Sequence, residues 1–309
     1  MRKHQTKFFY LFIGLGLLFS CSKESGEDIA NQHVSIVTYL TANKLAYQEI
    51  GDIYKVVKIA GYGYEPKSGD TVTFNYTVYE YNDTRNLVIT SNVLDTLVKH
   101  GFDTEIYKPG PTKMVLGEGN FLSGISQGLL SMHAGEVCDI FMTSNLGYGD
   151  QQRGPVAGNT MLRARMQIIS VNGSSIISEK QKIAEYIANN TITISPKDEG
   201  YYFIQDIVGV GSMALVGDTT YVSYVCKTLA GDVVEEVVTS DSLNFIVGGG
   251  KAPVVGLDLA VRLMASGATA TVIMPSYLAY GKDGKNNSLI LPYETLIYDV
   301  NLNKIKTKK

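Results

Sequence analysis

The residues best suited to do chemistry lie between positions 272 and 303, where a tyrosine and several apolar side chains surround a polar loop. An apolar run breaks at Pro275, Tyr280 and Gly281 follow, and apolar sequence resumes at Ile290. The closing segment, residues 295–303, alternates apolar and polar residues with the period of two that predicts a strand with one buried face. Two strands joined by a loop with aromatic and aliphatic residues at its mouth predict the rim of an apolar pocket.

Other chemistries fit the residues poorly. The run Gly248-Gly249-Gly250-Lys251 is followed by Ala252-Pro253, which lacks the glycine spacing, the Ser or Thr and the helix start of a phosphate-binding loop. His33, His100 and His133 show no paired metal-ligand spacing, and none is placed like a triad base. The sequence therefore predicts neither a metal centre nor a bound cofactor.

The segments 279–281, 290–292 and 295–300 read Ala-Tyr-Gly, Ile-Leu-Pro and Thr-Leu-Ile-Tyr-Asp-Val. In this order and spacing they resemble the C-terminal half of FKBP-type peptidyl-prolyl isomerases. The resemblance implies an α+β fold with two tandem domains, each an antiparallel half-barrel sheet wrapped on one short helix and preceded by an N-terminal helix. It also implies an isomerase that acts on proline-containing polypeptide segments.

Such an isomerase needs no nucleophile or proton donor. Rotation about an X-Pro bond is opposed by a barrier of about 18–20 kcal/mol, because amide resonance is lost in the twisted state. The twisted amide is less polar than the planar one, so a dry apolar pocket with one donor for a substrate carbonyl favours it. Aromatic and aliphatic walls with a tyrosine hydroxyl suit this task.

The resemblance assigns roles to residues of the second copy. Tyr280 takes the place of the hydroxyl donor at the rim, Glu235 that of a pocket carboxylate that is normally Asp, and Tyr224 that of a wall; these three are the predicted catalytic residues. The predicted substrate-binding residues are Val234, Val254, Leu257, Ile290 and Tyr298. Leu257 replaces the family's usual Trp floor and Val234 its usual Phe wall, which thins the predicted cup.

The chain repeats itself, which indicates two domains. Gly69-Asp70 lies 148 residues before Gly217-Asp218, whereas Tyr148-Gly149 lies 132 residues before Tyr280-Gly281. The first copy therefore carries a net insertion of 16 residues, which we place near 92–111.

The first copy supplies weaker equivalents of the predicted site. These are Tyr76, Leu122, Ile125 and Tyr148. Thr90 stands in place of the carboxylate, and Ala164 stands where the closing strand should carry an aromatic residue. We interpret this copy as a degenerate isomerase fold, better suited to bind a polypeptide or to act as a spacer than to catalyse.

Each copy is predicted to open with a helix and continue in strands. In the second copy Ser178 and Gln181 have capping-box spacing, and the apolar period ends at Asn189-Asn190. We predict a signal peptide at 1–20, a flexible tether at 21–34, a first domain at 35–172 and a second at 173–309.

The first residues resemble a bacterial lipoprotein signal. Three basic residues precede an apolar run at 8–19 that is too short to span a membrane, and Leu18-Phe19-Ser20-Cys21 resembles a lipobox. We therefore expect Cys21 to carry lipid and anchor the protein in a bacterial cell envelope, at the outer membrane on its periplasmic or surface face. Cys138 and Cys226 are predicted to be buried small hydrophobes in different domains rather than an interdomain disulfide.

Charge and composition narrow the function further. Removal of residues 1–20 takes away Arg2, Lys3 and Lys7, so the formal net charge moves from −3 to −6, which argues against nucleic acid as a partner. Three functions remain: an envelope-anchored prolyl isomerase acting through the second copy, a non-catalytic peptide-binding lipoprotein, and a glycan-binding lipoprotein. Sugar-binding platforms commonly use Trp, and the chain has none. We favour the isomerase.

Overall fold

The computed structural model describes residues 26–81, 87–119, 121–286 and 288–308. The first repeat contains α1 (Gly26–Ala42), β1 (Gln48–Ile50), β2 (Ile53–Ile59), β3 (Thr71–Glu80), β4 (Val88–Ser91), α2 (Leu94–Lys99), β5 (Thr112–Val115), α3 (Ser123–Leu130), β6 (Val137–Met142) and β7 (Leu162–Asn172). The segment near 92–111, predicted to be an insertion, holds α2 and a turn-rich loop.

The second repeat follows β7 without a break. It contains α4 (Ser174–Asn189), β8 (Tyr202–Ile207), β9 (Val210–Met213), β10 (Thr219–Thr228), β11 (Val233–Val237), β12 (Leu243–Ile246), α5 (Val255–Val261), β13 (Ala265–Ser266), β14 (Thr269–Met274) and β15 (Leu296–Lys306). Single 3₁₀ turns occupy Ser144–Leu146, Thr239–Asp241 and Ser276–Leu278.

Each repeat forms one main antiparallel sheet. In the first, the order is β1-β2-β6-β7-β3-β4, with β5 also paired to β3; in the second it is β11-β10-β15-β14-β8, with β12 also paired to β10. The helices α3 and α5 contribute Ile125 and Leu257 to separate cores, one per repeat. The predicted α+β fold with one short helix against each sheet is thereby confirmed.

The N-terminal helix covers the outer face of the first sheet. Ile36 and Leu40 of α1 are fully buried against Tyr54, Val56 and Phe141. Because β2 is covered on both faces, its first four residues are all buried rather than alternating. Residues 26–34, predicted to be part of a flexible tether, are instead helical because α1 has this sheet face to pack on.

The opening helix of the second repeat, α4, begins earlier than the sequence predicts. Its first residue is Ser174, so Ser178 lies inside the helix and does not cap it. The buried side chain of Ile176 packs into the core of the first repeat and stabilises the extra turn. Tertiary packing therefore outweighs the local capping signal. Among the described residues, none of the helices is both long and apolar enough to cross a bilayer.

Contacts join the two repeats beside α4. The ring of Tyr64 meets that of Tyr277 edge to face, with 4.6 Å between centroids. Glu65 accepts hydrogen bonds from His133 of its own repeat and Lys282 of the other. The first repeat therefore contacts the loop that follows Tyr280 in the second.

Candidate functional site

The structure brings the three predicted catalytic residues of the second repeat together. Tyr224 lies on β10, Glu235 on the adjacent β11, and Tyr280 just after the 3₁₀ turn that ends β14. The Tyr224 hydroxyl donates to Glu235 Oε1 over 2.7 Å, and the Tyr280 hydroxyl donates to Glu235 Oε2 over 3.1 Å. One carboxylate thus holds two phenol groups at the mouth of the second core.

The predicted walls also converge, but the space between them is filled. Four of the substrate-binding residues are less than 5% exposed and pack in the same core, namely Val254, Leu257, Ile290 and Tyr298. Val234 is partly buried against them. The Tyr298 ring lies 5.1 Å from that of Tyr224 between centroids, and both residues are buried, so the region between the predicted walls is closed to solvent.

A lysine from the loop after Tyr280 closes the mouth of this cup. Lys285 Nζ lies 2.9 Å from Glu235 Oε2 and 3.3 Å from the Tyr280 hydroxyl oxygen, and 5.1 Å from the centre of the Tyr280 ring. Sequence reasoning missed this residue, since only the fold brings position 285 to position 235. Lys285 therefore bridges the Glu235 carboxylate and the Tyr280 hydroxyl across the mouth of the cup, and we name this contact the latch.

Burial and hydrogen bonding set the charge of this cluster. Burial tends to raise the pKa of Glu235, but hydrogen bonds from Lys285, Tyr224 and Tyr280 outweigh it and lower the pKa below its usual value. Burial, followed by the neighbouring carboxylate, raises the pKa of Tyr224 and of Tyr280. At neutral pH the site therefore holds one carboxylate and two un-ionised phenols, which are hydrogen-bond donors.

The corresponding cup of the first repeat is open. It is a cavity of about 440 Å³ lined by Tyr76, Val78, Thr90, Gly119, Phe121, Leu122, Ser123, Ile125, Gly147 and Tyr148. All four weaker equivalents predicted from the sequence line it. Tyr76, Leu122 and Tyr148 are partly exposed, whereas Ile125 is buried at the floor. Phe121, which sequence reasoning missed, packs edge to face on Tyr76 at 5.5 Å between centroids.

Side-chain volume explains why one cup is open and the other is filled. Ala164 on β7 occupies the strand position that Tyr298 occupies on β15, and both residues are completely buried. Thr90 stands where Glu235 stands in the second repeat and cannot act as a shared carboxylate acceptor for two tyrosines. The substitutions interpreted as degeneracy therefore also remove the groups that fill and close the second cup.

A third cavity lies between the repeats and touches the rim of the second cup. It measures about 260 Å³, and its lining includes Tyr280 together with Glu65, His133 and Lys282. Hydrogen bonds that His133 donates to the carboxylates of Glu136 and Glu65 raise the pKa of His133 to about 9. The hydrogen bond from His133 is the largest influence on Glu65 and, with Lys282, lowers its pKa to about 2 despite burial. These charges clamp the first repeat to the rim loop of the second, residues 281–294.

No cluster of three or more potential metal-ligating side chains occurs within the described ranges. The cysteines of these ranges, Cys138 and Cys226, are buried and free, as predicted for small core residues. Cys21 lies outside the described residues.

Two half-barrel sheets, each wrapped on a short helix with tyrosines at its cup, define an FKBP-like architecture. The sequence model described as FKBP-type peptidyl-prolyl cis-trans isomerase matches residues 63–163 and 211–303, which together make up more than half of the chain. The chain therefore belongs to the FKBP-type peptidyl-prolyl isomerase family.

Individual relatives are distant. The chain is 26% identical over 244 residues to the mouse peptidyl-prolyl cis-trans isomerase FKBP9, covering 76% of this chain and 35% of that protein. It is 27% identical over 113 residues to FK506-binding protein 1 of Aspergillus oryzae, covering 36% of this chain and 91% of that protein. The chain spans about a third of the length of the FKBP9 relatives.

Among solved structures, the three FKBP domains of wheat FKBP73 align at a TM-score of 0.34 and 18% identity, covering 85% of this chain and 100% of that one. FkpA from Escherichia coli aligns at 0.36 and 22% identity, covering 43% of this chain and 62% of that one.

Proposed function

We propose that this protein is a peptidyl-prolyl cis-trans isomerase or folding helper that acts on proline-containing segments through its second domain. The observation that carries this proposal is the shared carboxylate of Glu235, which holds the hydroxyls of Tyr224 and Tyr280 at the mouth of an apolar core. Family membership supports the reaction class.

The reaction requires the latch to open. Lys285 must move away from Glu235 and the Tyr280 hydroxyl oxygen, and the Tyr280 hydroxyl must exchange its hydrogen bond to Glu235 for one to a substrate carbonyl. Its partly buried position reduces contact with bulk water, so the hydrogen bond forms in a medium less polar than water. In the absence of substrate the cup is filled by Tyr298. Entry of a prolyl ring therefore also requires Tyr280 and the rim loop to move away from Tyr298. Twisting the prolyl amide reduces its polarity, and the aliphatic wall of Val254, Leu257 and Ile290 then favours the twisted state.

The test is isomerisation of a proline tetrapeptide by the full chain, with Tyr280→Phe and Tyr148→Phe as matched variants. One lost hydrogen-bond donor is worth about 1 kcal/mol, which predicts about a fivefold loss of kcat/KM for Tyr280→Phe. Tyr148→Phe removes the equivalent hydroxyl of the first cup and leaves turnover unchanged. A rate equal to that of buffer for the unmodified chain refutes the isomerase; equal losses in both variants refute the assignment to the second domain.

A second candidate function is non-catalytic binding of proline-containing segments by the first cup. The observation in its favour is the open cavity of about 440 Å³ beside Tyr76, Phe121 and Tyr148. Titration calorimetry with a proline peptide tests it. Phe121→Ala removes a partly exposed aromatic wall, so we expect at least a fivefold loss of affinity from the lost apolar area. Binding with no isomerisation, lost in Phe121→Ala, favours this candidate over the first.

We also propose that the protein is held in a bacterial cell envelope by lipid on Cys21. The lipobox-like Leu18-Phe19-Ser20-Cys21 after a short apolar run supports this. Metabolic labelling with a fatty acid and membrane fractionation of the unmodified chain and of Cys21→Ser test it. Label that persists in Cys21→Ser contradicts the assignment.

A further inference from the structure

The second repeat exposes a continuous aliphatic segment, residues 207–216, which we name the aliphatic edge. Six of its ten residues are large apolar side chains that are more than half exposed: Ile207, Val208, Val210, Met213, Leu215 and Val216. Val210 is 85% exposed and Val208 is 78% exposed. Exposed apolar residues are ordinary when single, but a run of this density marks a surface that contacts something apolar.

Lysines border this edge. Lys304, Lys306 and Lys308 are all exposed, and Lys306 pairs with Thr219 across the β10–β15 ladder. The side chain of Lys308 lies against Gly217, where an added Cβ would stand 2.9 Å from Lys308 Cδ. The end of β15 therefore places the Lys308 side chain beside the turn that carries Leu215 and Val216. Lys306 and Lys304 follow farther along the strand, and Lys304 Nζ lies 5.8 Å from the centre of the Tyr221 ring.

Two acidic residues flank this edge: Asp206, which is exposed and precedes Ile207, and Asp218, which is committed to the backbone. Its carboxylate accepts hydrogen bonds from the amide of Leu215 over 3.0 Å and from the amide of Lys308 over 2.9 Å. These two bonds lower the pKa of Asp218, with the amide of Leu215 as the larger cause. Asp218 thus fixes the turn that carries Leu215 and Val216.

The corresponding loop of the first repeat carries charged side chains at two of these positions. With Gly69 matched to Gly217, Glu65 corresponds to Met213 and Lys67 to Leu215. In the first repeat these polar side chains make directed contacts with the second domain, namely Glu65 with Lys282 and Lys67 over the Tyr293 ring at 4.9 Å. In the second repeat aliphatic residues replace them. These aliphatic side chains cannot form the ion pair and cation–π contact that the first repeat makes with a protein surface. Contact with a lipid bilayer requires no such directional interactions.

We propose that the aliphatic edge docks on the surface of a bilayer containing anionic phospholipid. Leu215, Val216 and their aliphatic neighbours enter the boundary between headgroups and acyl chains, while Lys304, Lys306 and Lys308 lie among the lipid phosphates. The alkyl stems of lysine allow the ammonium groups to reach the headgroups while the stems remain in apolar surroundings. This goes beyond the proposed isomerase, and it depends neither on that activity nor on lipid at Cys21.

The absence of Trp from the chain makes the proposal directly measurable. The full chain carrying Leu215→Trp is reconstituted into vesicles of phosphatidylcholine alone or of phosphatidylcholine with phosphatidylglycerol in equal parts, with brominated acyl chains as quencher. Ile106→Trp is the matched control, because Ile106 is 72% exposed and Leu215 68%. We expect blue-shifted, quenched emission from Leu215→Trp in anionic vesicles and solvent-like emission from Ile106→Trp in both.

A second variant tests the role of the lysines. Each lysine near an anionic surface is worth about a fivefold change in binding, so replacing Lys304, Lys306 and Lys308 by Gln lowers the docking equilibrium on the order of a hundredfold. Emission from Leu215→Trp that matches the control in both vesicles overturns the proposal. So does equal quenching with and without anionic lipid. A blue shift of the Leu215→Trp emission in lipid-free protein as the protein concentration rises also overturns the proposal. That result assigns the aliphatic edge to contact with a second copy of the chain.

Discussion

A buried carboxylate joins α4 to the segments that flank the rim loop of the second domain. Glu179 is 2% exposed, and it accepts hydrogen bonds from the Ser276 amide, the Ser276 hydroxyl and the Thr295 hydroxyl, each over 2.7 Å. Ser276 begins the turn that leads to Tyr280, and Thr295 directly follows the rim loop. We predict that Glu179→Ala destabilises the second domain and loosens both ends of this loop.

The magnitude follows from the three donors that the substitution leaves buried. An unsatisfied buried donor costs about 1–3 kcal/mol, but the two hydroxyls can rotate towards other acceptors, so we expect a total of about 3 kcal/mol. The first repeat supplies the matched control. There Gln32 Oε1 accepts from the Ser144 amide over 2.7 Å and from its hydroxyl over 3.0 Å. Glu179→Gln copies that arrangement and should cost only about 1 kcal/mol.

The measurement is chemical unfolding followed by tyrosine fluorescence, with amide hydrogen exchange across residues 276–295. Glu179→Ala should lower the free energy of unfolding of the second domain and speed exchange at both ends of the rim loop, while exchange in the first sheet stays unchanged. The reasoning is refuted if Glu179→Ala unfolds within 0.5 kcal/mol, a margin of about the ordinary effect of a surface substitution, of the unmodified chain. It is also refuted if Glu179→Gln is as costly as Glu179→Ala.

Three further predictions concern the latch, the interdomain clamp and the thiols. Lys285→Met removes a partly exposed ion pair worth about 1 kcal/mol or less, so isomerisation by the second domain should rise up to about fivefold in a peptide assay; an unchanged or lower rate contradicts the latch. In the clamp formed by Glu65, His133 and Lys282, the contribution of His133 to stability is complete below its ordinary pKa of 6.5 and is lost as the pH rises through about 9. The contribution of Glu65 is complete above its ordinary pKa of 4.5 and is lost as the pH falls through about 2. Thermal unfolding measured against pH should therefore show the clamp strongest between 4.5 and 6.5, by about 1 kcal/mol after solvent screening, and His133→Gln should flatten the alkaline side. Burial raises the pKa of both thiols, that of Cys226 to about 12, so an alkylating reagent should modify Cys138 and Cys226 only after unfolding, and rapid labelling of the native chain argues against their burial.

Much of the fold could be predicted from local patterns. The alternation of apolar residues along β15 predicts a strand with one buried face, and Leu296, Tyr298, Val300 and Leu302 are all buried. The repeat of glycines and tyrosines predicts two related domains, and the motif around Tyr280 indicates the family. These features depend on periods of two and on short-range spacing, which a sequence displays directly. Helix bounds were less predictable, because Ile176 extends α4 by packing on a domain that precedes it.

The candidate site, like the fold, could be predicted only in part from the sequence. The sequence by itself determined which residue types surround each cup, including Tyr224, Glu235 and Tyr280 in the second. Only the tertiary structure decided that the second cup is filled and closed by Lys285 while the first stands open. The physical reason is that occupancy of a cavity depends on the summed volumes of side chains from several strands and on the reach of one loop lysine. Those quantities are set by packing between segments far apart in the chain, and no local period in the sequence records them.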